Sequence, residues 1–494
     1  MKTKIAEELP HLPEGWAWGT LEECVDILDR QRIPVNAKER KARIRGKPPS
    51  ELYPYYGATG QVGWIDDFLF DEELVLLGED GAPFLDAFED KAYIIRGKSW
   101  VNNHAHVLRA LKELMLNSFL CHYLNTFAYQ DYVTGTTRFK LNQLRMRNIP
   151  VPIPPLSEQQ RIVSKIEELF ARLDAGVKSF EKVKTQLQRY RQTVLKHAFE
   201  GKLTEEWRQI HKHEIEPASV LLERIREERG KNVKRKYKEQ LPMDTPGLPE
   251  IPEAWMWTTI GQLYDVVGGG TPSTSVAEYW NGDVPWITSA DIYGLRDVRP
   301  RKYVTKKGIK HSATNLVPEE SLIVVTRVGL GKIALTRISL CFSQDSQALI
   351  GNSSLLYPEC SLYYLSKAVQ IFKYKHRGTT IAGVTKKQLR ELPFPLSPFP
   401  EQQKIVKEIK RRFSVADEVE KVVEQALSQS EQLHQSILKS AFEGSLVPQD
   451  PTDEPAEKLL ERIREQKGKH KSEKKGKKKN KGELKQLELV RYVK

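Results

Sequence analysis

Residues 155–163 read Pro-Leu-Ser-Glu-Gln-Gln-Arg-Ile-Val, and residues 398–406 read Pro-Phe-Pro-Glu-Gln-Gln-Lys-Ile-Val. A second pair, LKHAFEGKL at 195–203 and LKSAFEGSL at 438–446, stands at the same offset of 243 residues. Upstream, LPEGWAW at 12–18 returns as IPEAWMW at 251–257. A period of half the chain means two copies of one module, since solenoid repeats run about 20–50 residues. The stretches that follow each tryptophan pair share little sequence. A duplicated frame with two divergent inserts reads as a scaffold that presents two different readers.

The repeated blocks open two long helical patterns. Ile166, Leu173, Phe180, Leu187 and Val194 are spaced by seven, and a second line follows through Ile162, Leu169, Gly176, Val183 and Tyr190. Alternating steps of three and four are the seam of a coiled coil. The second pattern carries Ile405, Ile409, Ala416, Val419, Val423, Ala426, Leu433 and Ile437, with Arg412 and Ser430 interrupting it. Ser157 and Gln160 have capping-box spacing, Pro400 suits a first helical turn, and Gly201 and Gly444 suit left-handed closing positions. A seam of about 40 residues spans about 60 Å and must be buried. Two such helices in one chain predict an antiparallel intramolecular pair; pairing between chains is the alternative.

Around these helices the chain divides into a first mixed α+β domain (1–153), the first helix (154–203), a charged linker (204–250), a second mixed domain (251–396), the second helix (397–446) and a charged, Lys-rich end (447–494). The linker run ERIREERGKNVKRKYK at 223–238 reads as too charged to form a core.

The net charge is +13 over 494 residues. Residues 467–481 hold nine Lys against one Glu, so the rest of the chain carries only about +5. Such a run is ordinarily a solvated tail, with a non-specific affinity for phosphates as the other reading. No run of about 18 apolar residues is present, so no membrane span is expected, and no apolar leader is visible at the N-terminus. Four cysteines, Cys24, Cys121, Cys341 and Cys360, lack paired spacing. A disulfide framework or thiolate zinc site is therefore not expected.

The sequence carries no complete catalytic motif. Gly268-Gly269-Gly270-Thr271 has no Gly-Lys-Ser/Thr at Walker spacing. His104 and His106 are two apart, which makes a metal or nuclease site imaginable, but no ligand set accompanies them. Basic, loop-rich patches do recur. One holds Arg30, Arg32, Lys38, Arg40, Arg43 and Arg45. Another holds Arg296, Arg299, Arg301 and Lys302. Near each domain's end, Thr136, Thr137, Arg138 and Lys140 answer Thr379, Thr380, Lys386 and Lys387. With Gly269, Gly270 and Thr271, these are the candidate DNA-binding residues, because cations serve phosphates and guanine edges while hydroxyls and amides add neutral hydrogen bonds.

Taken in order, the paired Glu-Gln-Gln blocks, the paired Ala-Phe-Glu-Gly segments, the paired Gly-Thr-Thr triplets and the block from Gly268 to Ile287 resemble the specificity subunit of a type I restriction–modification system. Tyr55–Gly60 and Leu77–Ala82 resemble a second type of target-recognition domain from the same family. The resemblance covers about 12–460. It implies two target-recognition domains joined by two helices in an antiparallel coiled coil with pseudo-two-fold symmetry. It further implies that each domain reads one half of an asymmetric bipartite site on double-stranded DNA, with the helices as spacer. Two methyltransferase subunits and the restriction/translocase subunits are the implied partners, in a prokaryotic cytoplasm. The chain itself would bind no cofactor and be no enzyme; S-adenosylmethionine, ATP and Mg would serve the partners, which modify adenine N6. The competing readings are a free-standing DNA-binding protein, a structural coiled-coil linker, and a nuclease built on His104 and His106.

Overall fold

The computed structural model describes residues 9–231, 247–370, 372 and 383–467. The chain forms two compact units: one takes in residues up to Glu181 and from Glu424 onward, the other runs from Lys182 to Val423. Each long helix is thus divided between both units.

In the first unit the apolar run Leu74–Gly78 is buried at every position, as a strand covered on both faces must be. It lies in a four-stranded antiparallel sheet ordered Val25–Ile27, Ala105–Ala110, Leu74–Gly78, Ala92–Ile95. A second sheet is ordered Gly60–Ile65, Tyr53–Gly57, Lys98–Val101, Phe70–Asp71, with Tyr55 and Trp100 paired in parallel. Helix Asn117–Thr126 buries Phe119, Leu120 and Leu124 in the core shared with Val75, Leu77 and Ala92. The domain is closed by Ala17–Thr20 pairing with Pro150–Ile153, Trp18 opposite Pro152.

The second unit repeats this plan. Met256–Thr259 pairs with Pro393–Leu396, Trp257 opposite Pro395. The sheet order is Asp265–Gly268, Ser346–Ile350, Leu322–Val325, Ile333–Leu335, and the companion sheet sets Trp286 parallel to Cys341. The inserts that look unrelated as sequence therefore share one topology. What they preserve is the alternation and burial of short strands, which many sequences satisfy.

The helices Leu156–Phe199 and Phe399–Phe442 each have 44 residues. In the first unit Phe170 packs against His434, ring centroids 4.5 Å apart, and Ile166 shares a core with Ile437. In the second, Val194 and Ala198 share a core with Ile405 and Ile409, and Arg191 pairs with Asp417 at 2.5 Å and Glu420 at 2.7 Å. Rising numbers on one helix meet falling numbers on the other, so the pair is antiparallel in both units. Ile166, Val194, Ile409 and Ile437 are buried because a globular domain covers them as well as the partner helix; Ala416 and Val423 are also buried. Leu173, Phe180 and Leu187 are half-buried. Val419 and Leu433, expected in the seam, remain exposed, since two helices alone cover a seam from one side.

The repeated motifs meet at two joints. Gly201 and Gly444 close the helices at φ +72° and +73°. A Cβ at Gly201 would stand 2.3 Å from Pro252, and one at Gly444 would stand 2.2 Å from Pro13. The Ala-Phe-Glu-Gly ends thus seat the prolines that precede each domain. At the helix starts, Gln159 donates to Leu114 O (2.8 Å) and Pro154 O (3.0 Å) and accepts from the Leu116 amide (3.0 Å). Gln402 likewise donates to Ser397 O and accepts from the Tyr357 amide, both at 2.8 Å. Glu401, fully buried, accepts from the Trp255 indole (2.8 Å), the Thr204 hydroxyl (2.7 Å) and Arg208 (3.1 Å). Its counterpart Glu158 lies beside Trp16, but no well-formed hydrogen bond joins them, and Arg161 pairs instead with Asp453 at 2.7 Å.

The charged segments are not merely solvated. Helix Ala218–Lys231 buries Ala218, Leu221, Leu222 and Ile225 in the second unit's core, and Arg229 donates to Gln262 O at 2.5 Å. Ala456, Leu460 and Ile463 do the same in the first unit, with Arg464 on Glu23 at 2.9 Å. Of the run 223–238, expected to be too charged to form a core, Ile225 is buried, completing a narrow apolar stripe with Ala218, Leu221 and Leu222 that suffices against an existing domain; residues 232–238 lie outside the described residues. The 467–481 lysine run lies outside the described residues beyond Lys467.

Two outcomes are expected at the joints. Gly201→Ala forces a side chain into left-handed backbone and against Pro252, so the thermal midpoint falls by several degrees, consistent with about 1–3 kcal/mol of local strain. Burial raises the Glu401 pKa despite its hydrogen bonds from Thr204 and Trp255 and the Arg208 charge. A carboxyl with a raised folded pKa opposes folding once ionised, and that opposition fades as pH falls through the folded value toward the unfolded one. Calorimetry from pH 8 to 5 should therefore show the wild type gaining stability relative to Glu401→Gln as pH falls; the reverse trend would contradict this assignment.

Candidate nucleic-acid interface

At the end of the first unit's central strand, the chain turns through Glu79, Asp80 and Gly81. The Glu79 amide donates to His104 O at 2.8 Å, and the Leu141 amide donates to Glu79 O at 2.8 Å. These contacts bring the turn, the Asn102–His104 loop and the Gly135–Lys140 hairpin to one edge. Between them and the turn at Gly57–Thr59 lies an open cleft of ≈ 630 Å³. The second unit brings the corresponding parts together: the Val384 amide donates to Thr326 O at 2.8 Å, and Thr326 and Arg327 donate backbone amides to Asp345 O.

Beneath the first cleft sits a buried ionic network. Arg32 donates to Glu79 (2.8 Å) and Ala105 O (2.6 Å) and lies 3.5 Å from Asp29. His106 sets Nδ1 at 2.7 Å from Asp29 and Nε2 at 2.9 Å from Leu141 O. Burial pushes the Asp29 carboxyl up, but the His106 hydrogen bond and charge, the Val107 amide and the Arg32 charge outweigh it and leave its pKa lowered. Asp29, Glu79 and His106 are close enough together to suggest a cation site. The donor set does not fit one: the Arg32 guanidinium already neutralises both carboxylates, and each His106 ring nitrogen faces an acceptor. His104 engages a different carboxylate, 3.4 Å from Asp80, so the two histidines do not form a common site.

The expected DNA-binding residues divide by exposure. Arg30, Lys38 and Arg45 are exposed. Arg32 is spent in the network. Arg40 lies 4.4 Å over Tyr55 and Arg43 lies 4.8 Å over Trp100, with Arg43 also on Asp66 at 2.6 Å. Both fix helix Ala37–Ile44 to the sheet. Thr136, Thr137 and Arg138 are exposed at the cleft rim, and Lys140 is 3.4 Å from Glu79.

In the second unit the glycines are spacers. The Gly269 amide donates to Ser346 O and the Gly270 amide to Phe342 O at 2.9 Å. A Cβ at Gly269 would stand 2.1 Å from Ser343 O, and one at Gly270 would stand 2.4 Å from Ala313 C. Their amides are committed inside the domain, as in a tight loop rather than a phosphate cradle, while Thr271 is exposed and bonded to Gln344. Arg296 is held by Glu359. Arg299 chelates Asp297 and lies 5.0 Å from the Tyr293 ring centre. Arg301 pairs with Asp291 at 2.5 Å, and Lys302 lies 5.6 Å from the Trp280 ring centre. Lys386 and Lys387 are exposed on a short helix; Thr379 and Thr380 lie outside the described residues. Sequence reasoning passed over Asp80 and the exposed Arg327, which stand at matching turns. Their only signal is position after a buried strand.

This duplicated architecture has counterparts. The family model for the type I restriction modification DNA specificity domain matches residues 13–179 and 252–429. The chain belongs to this family. It is 25% identical over 446 residues to the type I restriction enzyme EcoDI specificity subunit of Escherichia coli, covering 89% of this chain and 90% of that one. The EcoKI specificity subunit from Escherichia coli strain K12 is 27% identical over 355 residues, covering 69% and 68%. Among solved structures, the HsdS subunit from Thermoanaerobacter tengcongensis shares the fold, with a TM-score of 0.50 at 19% identity over 89% of this chain and all of that one. A chain from a structure of type I R-M system assembly and conformational transition gives 0.56 at 20%, with the same coverage. The expected fold class is borne out, and the chain is a type I restriction–modification specificity subunit. Among the described residues, no helix is long and apolar enough to cross a membrane.

The two classes of arginine should separate in experiment. Arg32→Ala removes the guanidinium shared by Asp29 and Glu79, leaving Asp29 to His106 and Glu79 to Lys140, and should lower the melting temperature of the first unit by the loss of charge-assisted hydrogen bonds, about 1.5–3 kcal/mol. Lys38→Ala and Arg45→Ala should leave melting unchanged. Any phosphate contact they make should weaken binding across all sequences and reduce the salt slope by about one per contact.

Proposed function

We propose that this specificity subunit is non-catalytic and reads an asymmetric bipartite site on double-stranded DNA, one half-site per unit. The observation that carries the reading is the pair of matching loop clusters on a duplicated frame, with different side chains at the same place: Glu79-Asp80 in one, Thr326-Arg327 in the other. Identical frames position the readers, and unlike side chains give unlike half-sites.

The long helices act as the spacer, because half-site separation follows the geometry of the element that carries the readers. The helical frame docks two methyltransferase subunits, which modify adenine N6 in the prokaryotic cytoplasm, and restriction/translocase subunits complete the assembly. S-adenosylmethionine, ATP and Mg belong to those partners. The resemblance supplies these assignments.

A genome-wide adenine-methylation map with and without the chain tests the proposal: one asymmetric bipartite motif should vanish on deletion. Removing one heptad from each helix, within 166–194 and 409–437, shortens each by about 10 Å. The motif's halves should persist while the gap contracts by about three base pairs at ~3.4 Å each. Altered halves with an unaltered gap would rule out the spacer role.

A further inference from the structure

We infer that Arg138 is a guanine-reading side chain of the first unit and that Asp80 is its positioning residue; this rests on the recognition function proposed above. Arg138 projects from the Gly135–Lys140 hairpin with 64% of its side chain exposed, and its guanidinium pairs with Asp80 on the neighbouring turn at the same edge of the cleft. Gly81, at φ +78°, leaves room for it: a Cβ there would stand 3.2 Å from Arg138 Nε. Backbone pairing fixes both ends of this contact, since the Gly81 amide donates to Phe139 O at 3.0 Å and Asp80 bridges to Lys140. The hairpin and the turn therefore carry the cation and its carboxylate as one rigid piece.

Two features favour a base edge over a phosphate. First, a carboxylate directly behind the guanidinium repels a backbone phosphate at that point, whereas a guanine edge presents neutral acceptors. Second, the Asp80 contact is an ion pair that leaves Asp80 Oδ1 without a well-formed hydrogen bond. The carboxylate orients the guanidinium without tying up its planar fork in a bidentate pair. An ion pair with a mostly exposed arginine adds little stability, so its consequence is orientation. An outward guanidinium held from one side by a carboxylate can present its fork to guanine O6 and N7, the pairing that arginine makes most often with bases. The adjoining wall is preorganised too: the His104 amide donates to Asn102 Oδ1 at 2.8 Å, and His104 Nδ1 lies 3.4 Å from Asp80.

The test uses the full-length chain with its native partners in the host. Adenine-methylation motifs are mapped for wild type, the deletion strain, Arg138→Lys, Arg138→Ala and Asp80→Asn. The wild-type motif should contain a G·C pair in one half, and both Arg138 variants should make that single position degenerate. Discrimination there should fall about 5- to 150-fold, the range set by one bidentate base contact. Asp80→Asn should blur the same position, and the other half-site should remain sharp as an internal control for folding and assembly. Retention of the full motif by Arg138→Lys would mean that charge alone suffices, as for a phosphate, and would overturn the assignment. So would an unchanged motif in Arg138→Ala. If wild type and deletion give identical maps, the recognition function itself fails, and the assignment falls with it.

Discussion

Two buried glutamines hold the architecture together. Gln159 and Gln402 sit at the first turn of each long helix, and each carboxamide both donates to and accepts from backbone of the adjoining globular domain. A carboxamide is suited to this because it offers both functions in one plane. A buried amide that loses one partner incurs its full desolvation cost, so the angle at which each helix leaves its domain is tightly specified. The glutamates next to them extend the joint, most completely where Glu401 takes donors from Trp255, Thr204 and Arg208. Repetition of the Glu-Gln-Gln block therefore reflects a mechanical requirement of the frame.

This division of labour explains what was legible in the sequence. The helices were visible because a seven-residue apolar spacing has few other interpretations, and Gly201 and Gly444 announced their ends. The seam was overextended at Val419 and Leu433, because periodicity cannot say whether a second layer covers the partner's far side. The short charged helices were hidden: in Ala218–Lys231 only Ala218, Leu221, Leu222 and Ile225 are buried, a stripe diluted by arginine and glutamate. Once a domain surface exists to receive it, that stripe is enough.

The candidate site was less legible than the frame, and for a physical reason. Charge identifies a cation but not its partner. Arg32 and Arg45 look alike in sequence, yet one neutralises Asp29 and Glu79 within the fold while the other is exposed. A deciding partner is remote in the chain, as Glu79 is from Arg32, and only strand pairing brings them together. Triple glycine is ambiguous in the same way, since close packing against 313–314 and 342–343 requires glycine as strictly as a phosphate cradle would.

The same physics accounts for how such a chain can vary its readers without losing its frame. The strands that carry the cleft are specified by burial alone, so Leu322–Val325 replaces Leu74–Gly78 with little shared sequence. The turn that follows each strand is held by backbone hydrogen bonds: Leu141 to Glu79 in one unit, Val384 to Thr326 in the other. The backbone of each turn is thereby fixed by its own hydrogen bonds, while the side chains differ: Glu79 joins the buried Arg32 network, whereas the Thr326 hydroxyl donates to Asp345 O. Asp80, paired with Arg138, and the exposed Arg327 occupy positions whose backbone is fixed independently of the side chain, the condition under which a recognition surface can change its chemistry one residue at a time.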